Sequence, residues 1–298
     1  MDTFLDRQHQ LSVALFLSQA IRHDVSVSQL VTLHRGVLLS RFYPSDERRV
    51  VRDDREKRLY EAFISQRHSW REQARRYLEG DIFVWEPSPD FFRSKLFHAS
   101  APPPYFYVRS KRRDLLPLAE KTIAVVGSRQ PSAYGIAVTK RIVSDLVQED
   151  IVVISGGAAG IDGTAHQAAL DAGGLTVAIL GHGVDHVYPA KHRHLFDAIR
   201  RHGWLLSEYP PGTTPKRHFF PARNRLVAAL SDALIVTAAK PKSGTLITAS
   251  FAADQGKPVF AVPGSILDDE AASCHLLIKE GAGLYTDISD LNGIFPET

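Results

Sequence analysis

Residues 122–163 read TIAVVGSRQPSAYGIAVTKRIVSDLVQEDIVVISGGAAGIDG. Two short apolar runs, Ile123 to Val126 and Ile151 to Ile154, each end in a glycine-containing loop, and a helical pattern from about Tyr134 to Gln148 joins them. A buried strand, a loop, a helix and a second buried strand form the unit of a parallel sheet covered by helices. The unit repeats towards the C-terminus. Further strands are predicted at Thr176 to Leu180, Leu205 to Ser207, Leu234 to Thr237 and Val259 to Val262. Helices are predicted over about Gly163 to Ala172, His192 to Arg201, Arg223 to Ala229, Thr245 to Gln255 and Cys274 to Glu280. Six such units predict an α/β fold with an open, doubly wound, mostly parallel sheet, in which ligands bind beyond the carboxyl ends of the strands.

Upstream the pattern differs. From residue 11 to about 80 apolar residues recur at helical spacing, as in Leu11, Leu15 and Leu17, Leu30, Val31 and Leu33, and Leu59, Phe63 and Ile64. Pro87, Pro89 and Pro102-Pro103-Pro104 then interrupt it before the extended run Tyr105 to Val108. The expected division is a small helical N-terminal domain over 1–100, the sheet domain over 101–291 and a tail over 292–298.

The chain has 298 residues, 44% of them hydrophobic and 23% charged, a composition that excludes disordered, collagenous and coiled-coil classes. Its single cysteine, Cys274, cannot form an internal disulfide or a Cys-rich zinc site, and a lone thiol suits a reducing compartment. No apolar run reaches the roughly 18 residues of a membrane span, so a cytoplasmic location without membrane insertion is expected. Net charge is +3. Residues 1–121 carry 21 basic and 16 acidic residues, while 122–298 carry 15 and 17. An anion site in the second half must therefore be built locally, from converging cations, backbone N–H groups and helix N-termini. The basic run Arg48, Arg49, Arg52, Arg55, Lys57 and Arg58 is interleaved with Asp53, Asp54 and Glu56 and reads as a solvated helix face, with a nucleic-acid contact as the competing reading.

Four loops after the strands carry the chemistry. In Gly127-Ser128-Arg129 a glycine admits close backbone approach, the hydroxyl can donate and the guanidinium matches phosphate oxygens. A plain strand-to-helix turn with a surface arginine would satisfy the same three residues. Ser155 to Asp162, with Gly156, Gly157 and Gly160, exposes backbone N–H groups at a helix start, and Asp162 reads as the helix N-cap with His166 one turn later. The loop is not G-x-G-x-x-G, and no G-x-x-x-x-G-K-[ST] occurs, so nicotinamide-cofactor and Walker-type ATP chemistry lack support and no cofactor is expected.

The third segment is Lys216-Arg217-His218-Phe219-Phe220-Pro221-Ala222-Arg223-Asn224-Arg225, in which cations surround two aromatics and Pro221 suits a helix's first turn. Cations track phosphates while rings stack on unpaired bases; the bland alternative puts both rings in the core and the arginines in solvent. The fourth, Lys240-Pro241-Lys242-Ser243-Gly244-Thr245, is another anion cradle before a helix. His182, His186, His192 and His194 lack a carboxylate to complete a tetrahedral set, so no metal is expected, and Cys274 reads as structural.

The ordered set IAVVGSR (123–129), SGGAAGIDGTAHQAAL (155–170), LSEYPPG (206–212), HFFPARNRLVAAL (218–230), KSGTLITA (242–249), VFAVPGS (259–265) and CHLLIKEGA (274–282) resembles the DNA processing protein A family, also called DprA or Smf. The resemblance implies an extended Rossmann-like fold and a non-enzymatic single-stranded DNA binder. Such a protein protects incoming DNA and helps load the recombinase RecA during natural transformation and recombination, with single-strand-binding protein as a further partner. Carried over, Gly127, Ser128, Arg129, Gly156, Gly157, Lys216, Arg223, Asn224, Arg225, Lys242, Ser243 and Gly244 hold the strand, with Phe220 at a base and no catalytic residue. A homodimer through His275, Ile278 and Leu284 is also implied. The chain departs from the family pattern at Ala159, Thr237, Ser273 and His275, where Arg, Glu, Gly and Asn are common. The competing classes are a phosphoribohydrolase-type enzyme, whose P-G-G-x-G-T-x-x-E is replaced here by Lys242-Ser243-Gly244-Thr245-Leu246-Ile247-Thr248, and a nucleotide sensor.

Overall fold

The computed structural model describes residues 2–21 and 54–295, apart from 113, 115, 119 and 242. The apolar pattern at Leu30 to Leu33, residues 48–53 of the basic run, Lys242 and the last three residues lie outside the described residues. Helices α1 (Asp2–Ile21) and α2 (Asp54–Glu79) precede β1 (Ile82–Trp85) and β2 (Phe106–Arg109). There follow β3 (Thr122–Gly127), α3 (Ala133–Gln148), β4 (Val152–Ser155), α4 (Ile161–Asp171), β5 (Thr176–Leu180), α5 (Arg193–His202) and β6 (Trp204–Ser207). The chain ends with α6 (Phe219–Ala229), β7 (Ala233–Ala238), α7 (Gly244–Asp254), β8 (Val259–Ala261), α8 (Ala272–Lys279) and β9 (Gly283–Leu284).

All nine strands join one sheet in the order β1-β2-β6-β5-β4-β3-β7-β8-β9. From β6 to β9 every pairing is parallel, and β1 and β2 add an antiparallel edge. The six sequence-predicted strands are present, and the run at Tyr105 becomes β2. The sheet also takes in β1, from the segment before the Pro-rich stretch.

Alternation along the strands sorts the core. Ala124, Val126, Ile154, Val177, Ile179 and Leu206 face α6, α7 and α8 through Leu226, Val227, Ala249, Ala252 and Cys274. On the opposite face Ile123, Val125 and Val153 meet Ile142, Val143 and Leu146 of α3 and Ile161 and Ala165 of α4. Further along that face Tyr107, Leu180 and Leu205 pack with Phe196 of α5 and with Leu11, Phe16, Phe63 and Trp70 of α1 and α2. The N-terminal helices thus share a core with the sheet edge.

The connector between β1 and β2 is anchored too. Ser88 caps a short helix, Pro89–Phe91, that continues as a π turn through Leu96, and Lys95 Nζ reaches Asp232 at 2.5 Å. Successive connections run from β3 to β4, β5 and β6 on one side and to β7 and β8 on the other. The strand order therefore reverses around β3, and the crevice above that reversal is where a doubly wound sheet leaves room for a ligand.

Candidate functional site

The crevice is a cavity of about 560 Å³. Its walls come from all four sequence-predicted loops: Gly127, Ser128 and Arg129 after β3, Gly156 and Asp162 after β4, Phe220, Arg223 and Asn224 in α6, and Lys240 and Ser243 before α7 with Gly244 at its start.

Two of the loops are bolted together. The Ser128 N–H donates to Ala238 O at 2.7 Å, and the Ile161 N–H donates to Ser128 O at 3.0 Å. A Cβ on Gly127 would lie 2.6 Å from Ile161 Cγ1 and 2.7 Å from Ala238 O, so only glycine fits. Gly160 is tighter still, with φ +81° and a Cβ position 2.2 Å from Ser128 O. Gly160, not Asp162, is the N-cap of α4. Asp162 sits in the first turn and accepts the Ala158 N–H at 3.3 Å, which holds the loop from inside the helix.

Arg223 lies beneath this loop and is 3% exposed. Its Nη1 donates to Gly156 O at 2.5 Å and to Ile179 O, while Nε donates to Asn224 Oδ1 at 3.1 Å. Burial lowers its pKa to about 10, against the opposing pull of Asp162, so it is charged at neutral pH. Burial raises the Asp162 carboxyl above its ordinary value, against the attraction of Arg223. The pair leaves no room above it: a Cβ on Gly156 would fall 2.6 Å from Arg223 Nη2 and 2.7 Å from Asp162 Oδ2. The sequence-based expectation of Arg223 as a strand contact is therefore revised. Its Nη1 is committed to the carbonyls of Gly156 and Ile179 and its Nε to Asn224, so it positions the glycine loop while the residue still lines the crevice.

Arg225 requires a similar revision. Nη1 and Nη2 hold Glu208 at 2.8 and 2.7 Å, and Nε and Nη2 donate to Ser100 O and Ala101 O. It does not line the crevice. Gly157, with φ +67°, backs the loop against Phe196 and Leu180. Lys216 stands at a neighbouring cavity with Phe219. Asn224 Nδ2 donates to Gly244 O at 3.4 Å, and Ser243 Oγ caps α7 by accepting the Thr245 N–H at 3.1 Å.

Arg129, by contrast, is exposed, and its Cζ lies 5.8 Å from the Phe220 ring centroid. Phe220 is half-buried and leans on Tyr188 at 5.2 Å between centroids. An exposed cation and an aromatic ring thus meet beside a wall of small residues and helix starts, suited to a phosphate oxygen and an adjacent planar group.

Sequence reasoning missed Glu208, the counter-charge that removes Arg225 from the crevice. A signal for Arg223 was present: it precedes Leu226 and Val227 by three and four residues, on the inward stripe of α6. His166 is fully buried; burial drives its pKa down to about 3, and Nδ1 pairs with Thr176 Oγ1 at 2.7 Å. The family departures are absorbed locally. Thr237 pairs with Thr139 at 2.9 Å, Ser273 Oγ donates to Lys240 O at 2.8 Å, and His275 Nε2 lies 3.1 Å from Gly264 O. Of the expected dimer residues, Ile278 packs partly on the core while Leu284 is 49% exposed. Burial raises the Cys274 thiol to about 11, as suits a structural cysteine.

Residues 84–295 match the family model described as DNA recombination-mediator protein A. The DNA processing protein DprA of Streptococcus pneumoniae is 46% identical over 169 residues, covering 57% of this chain and 60% of that protein. Across the curated relatives, the match takes in between 45% and 60% of their own length. The X-ray structure of DprA from S. pneumoniae superposes with a TM-score of 0.70 at 31% identity, covering 98% of this chain and 94% of that one. The structure titled for the single-stranded DNA binding mode of DprA from Helicobacter pylori superposes at 0.56 and 30% identity, covering 65% and 84%. Among the described residues no helix is long and apolar enough to cross a membrane.

Proposed function

The chain belongs to the DNA recombination-mediator protein A family, and from that premise we propose that it binds single-stranded DNA, without catalysis, through the crevice above β3. The convergence of Gly127, Ser128, Arg129, Phe220 and Gly244 on one cavity supports this most directly. Helix starts and an exposed guanidinium suit the sugar-phosphate backbone, and a ring beside them suits any base, so binding is largely independent of sequence. The H. pylori relative, described for its single-stranded DNA binding mode, supports the same reading. Asp162 and His166, one turn apart on α4, favour binding over bond cleavage. Asp162 is held by the Ala158 N–H beside Arg223, and burial keeps His166 neutral at physiological pH.

In the cell we place this activity in protecting incoming DNA and handing it to RecA during transformation and recombination, with single-strand-binding protein as a further partner and the cytoplasm as the location. A homodimer through the α8 and β9 edge would extend the groove along the strand, using Leu276 and Leu284, which are 44% and 49% exposed. Leu284→Glu is then expected to halve the mass in light scattering. It is a cleaner probe than Ile278→Glu, which would also place a carboxylate against the core.

The decisive experiment is binding of labelled oligothymidylate, single-stranded against duplex, at two salt concentrations and with a mononucleotide competitor. Single-strand preference that weakens with salt is the expected result. Tight mononucleotide binding without polymer preference would transfer the crevice to a nucleotide sensor or enzyme.

A further inference from the structure

The first turn of α6 separates two cavities, with Phe220 on the crevice side and Phe219 on the other. The second cavity, about 610 Å³, is lined by Tyr209, Phe219, Pro104, Thr213 and Lys216 among others. Tyr209 and Phe219 stack with centroids 4.2 Å apart and planes 29° apart, and both are only half-buried. Lys216 is exposed, and its Nζ lies 5.6 Å from the Phe219 centroid. Glu208 also lines this cavity, but its carboxylate is neutralised by the two-pronged contact with Arg225.

Thr213 is a further indication. Its backbone is fixed by N–H donation to Pro210 O at 3.1 Å and acceptance from Gly183 N at 2.9 Å. Its hydroxyl is buried and has no hydrogen-bond partner among the described residues. An orphaned buried hydroxyl is costly, and its residue borders a cavity that also offers an aromatic platform and a cation.

We infer that this second cavity is a nucleotide subsite on the same strand path, with a base against the Tyr209–Phe219 pair and a phosphate at Lys216. The inference rests on the single-strand reading above. The strand passes over the start of α6, and consecutive phenylalanines serve bases on its two sides. The chemistry required is an aromatic face plus a neighbouring anion, which any nucleotide of a polymer supplies.

The test uses the full chain and oligothymidylates carrying one photoreactive 5-iodouracil at successive positions. Crosslinks to Tyr209 or Phe219 from one position, and to Phe220 from another, are expected. In parallel, Lys216→Gln and Phe219→Leu are expected to lower affinity for a 12-mer relative to a 4-mer, by about 5- to 150-fold for the lost ring contact. Arg129→Ala should instead weaken both lengths together. Lys216 is exposed, so its Gln variant decides the matter even if Phe219→Leu folds poorly. Crosslinks confined to Phe220, with Lys216→Gln binding the 12-mer normally, would overturn the second subsite and leave the crevice standing. Failure of the unsubstituted protein to bind either length would sink the single-strand reading itself.

Discussion

Arg129 and Arg225 look alike in the sequence, and the proposed function gives them opposite work, which a paired substitution can separate. Arg129 is exposed beside Phe220, so on the proposed single-strand reading Arg129→Ala removes a strand contact and little else. Each phosphate contact on a single strand contributes about 0.7 to the slope of log K against log salt. Between 50 and 200 mM salt the variant's loss of affinity should therefore be smaller by a factor of about 2.6, with the melting temperature unchanged. Arg225→Gln does the reverse. The side chains of Arg225 and Glu208 are only 11% and 16% exposed, and the substitution also takes donors from Ser100 O and Ala101 O. Breaking a fully buried pair costs about 3–5 kcal/mol; discounted for the remaining exposure, about 1–3 kcal/mol is expected. That corresponds to a fall of roughly 2 to 12 °C in melting temperature, with the salt slope retained. Titration of labelled oligothymidylate at four salt concentrations, with calorimetry on both variants, reads the two effects. An Arg225→Gln protein that melts normally but loses slope would refute the assignment, and so would an Arg129→Ala protein that loses stability but keeps slope.

Phe220→Ala should weaken single-strand binding by about 1–3 kcal/mol with little change in salt slope, measured by fluorescence anisotropy; normal binding would make the ring a scaffold residue. Gly156→Ala adds a methyl between Arg223 and Asp162 and should cost about 1–3 kcal/mol of overpacking strain, seen in chemical denaturation. Gly244→Ala, with nothing within 4 Å of the added carbon, should not lower stability. For His166 the folded pKa, about 3, lies below the ordinary 6.5, so the unfolded chain binds the proton more readily. Its contribution is intact above pH 6.5 and is lost at about 1.4 kcal/mol per pH unit as pH falls from there towards 3. His166→Asn, which keeps a donor for Thr176, should flatten that part of the acid-denaturation profile; an unchanged slope would contradict a buried neutral imidazole.

The sheet was readable because β3 to β8 are buried runs separated by helices of regular period, and both features are local. The two edges were less so. β1 has only Ile82 to Trp85, and β9 is two residues beginning with glycine, too short for any period to emerge. The site was legible at the level of loops, since each loop follows a strand whose carboxyl end faces the same crevice. Which cations point into it was not. Arg223 and Arg225 are both basic and two residues apart, yet one lies beneath the glycine loop and the other is held by Glu208, a partner 17 residues away that only the tertiary fold brings near. Lys216 was grouped with Phe220 by sequence proximity, and the helix start between them sends it to a different cavity.

That division of labour follows from what a strand-binding crevice must supply. A polymer's phosphates are strongly hydrated and move with the chain, so affinity is gained by fixing the groups that meet them before binding. Fixing a glycine loop needs hydrogen-bond partners for carbonyls that the helices do not use, and here the Arg223 guanidinium fills that role for Gly156 and Ile179. The same burial that makes Arg223 a good brace limits it as a ligand, because its Nη1 and Nε donors are already committed. On the proposed reading the contact with the strand then falls to the exposed Arg129, the half-buried Phe220 and backbone N–H groups at helix starts. Replacing Arg223 by Lys should therefore disorder the glycine loop even though the charge is kept, since one ammonium cannot span Gly156 O, Ile179 O and Asn224 as the planar fork does.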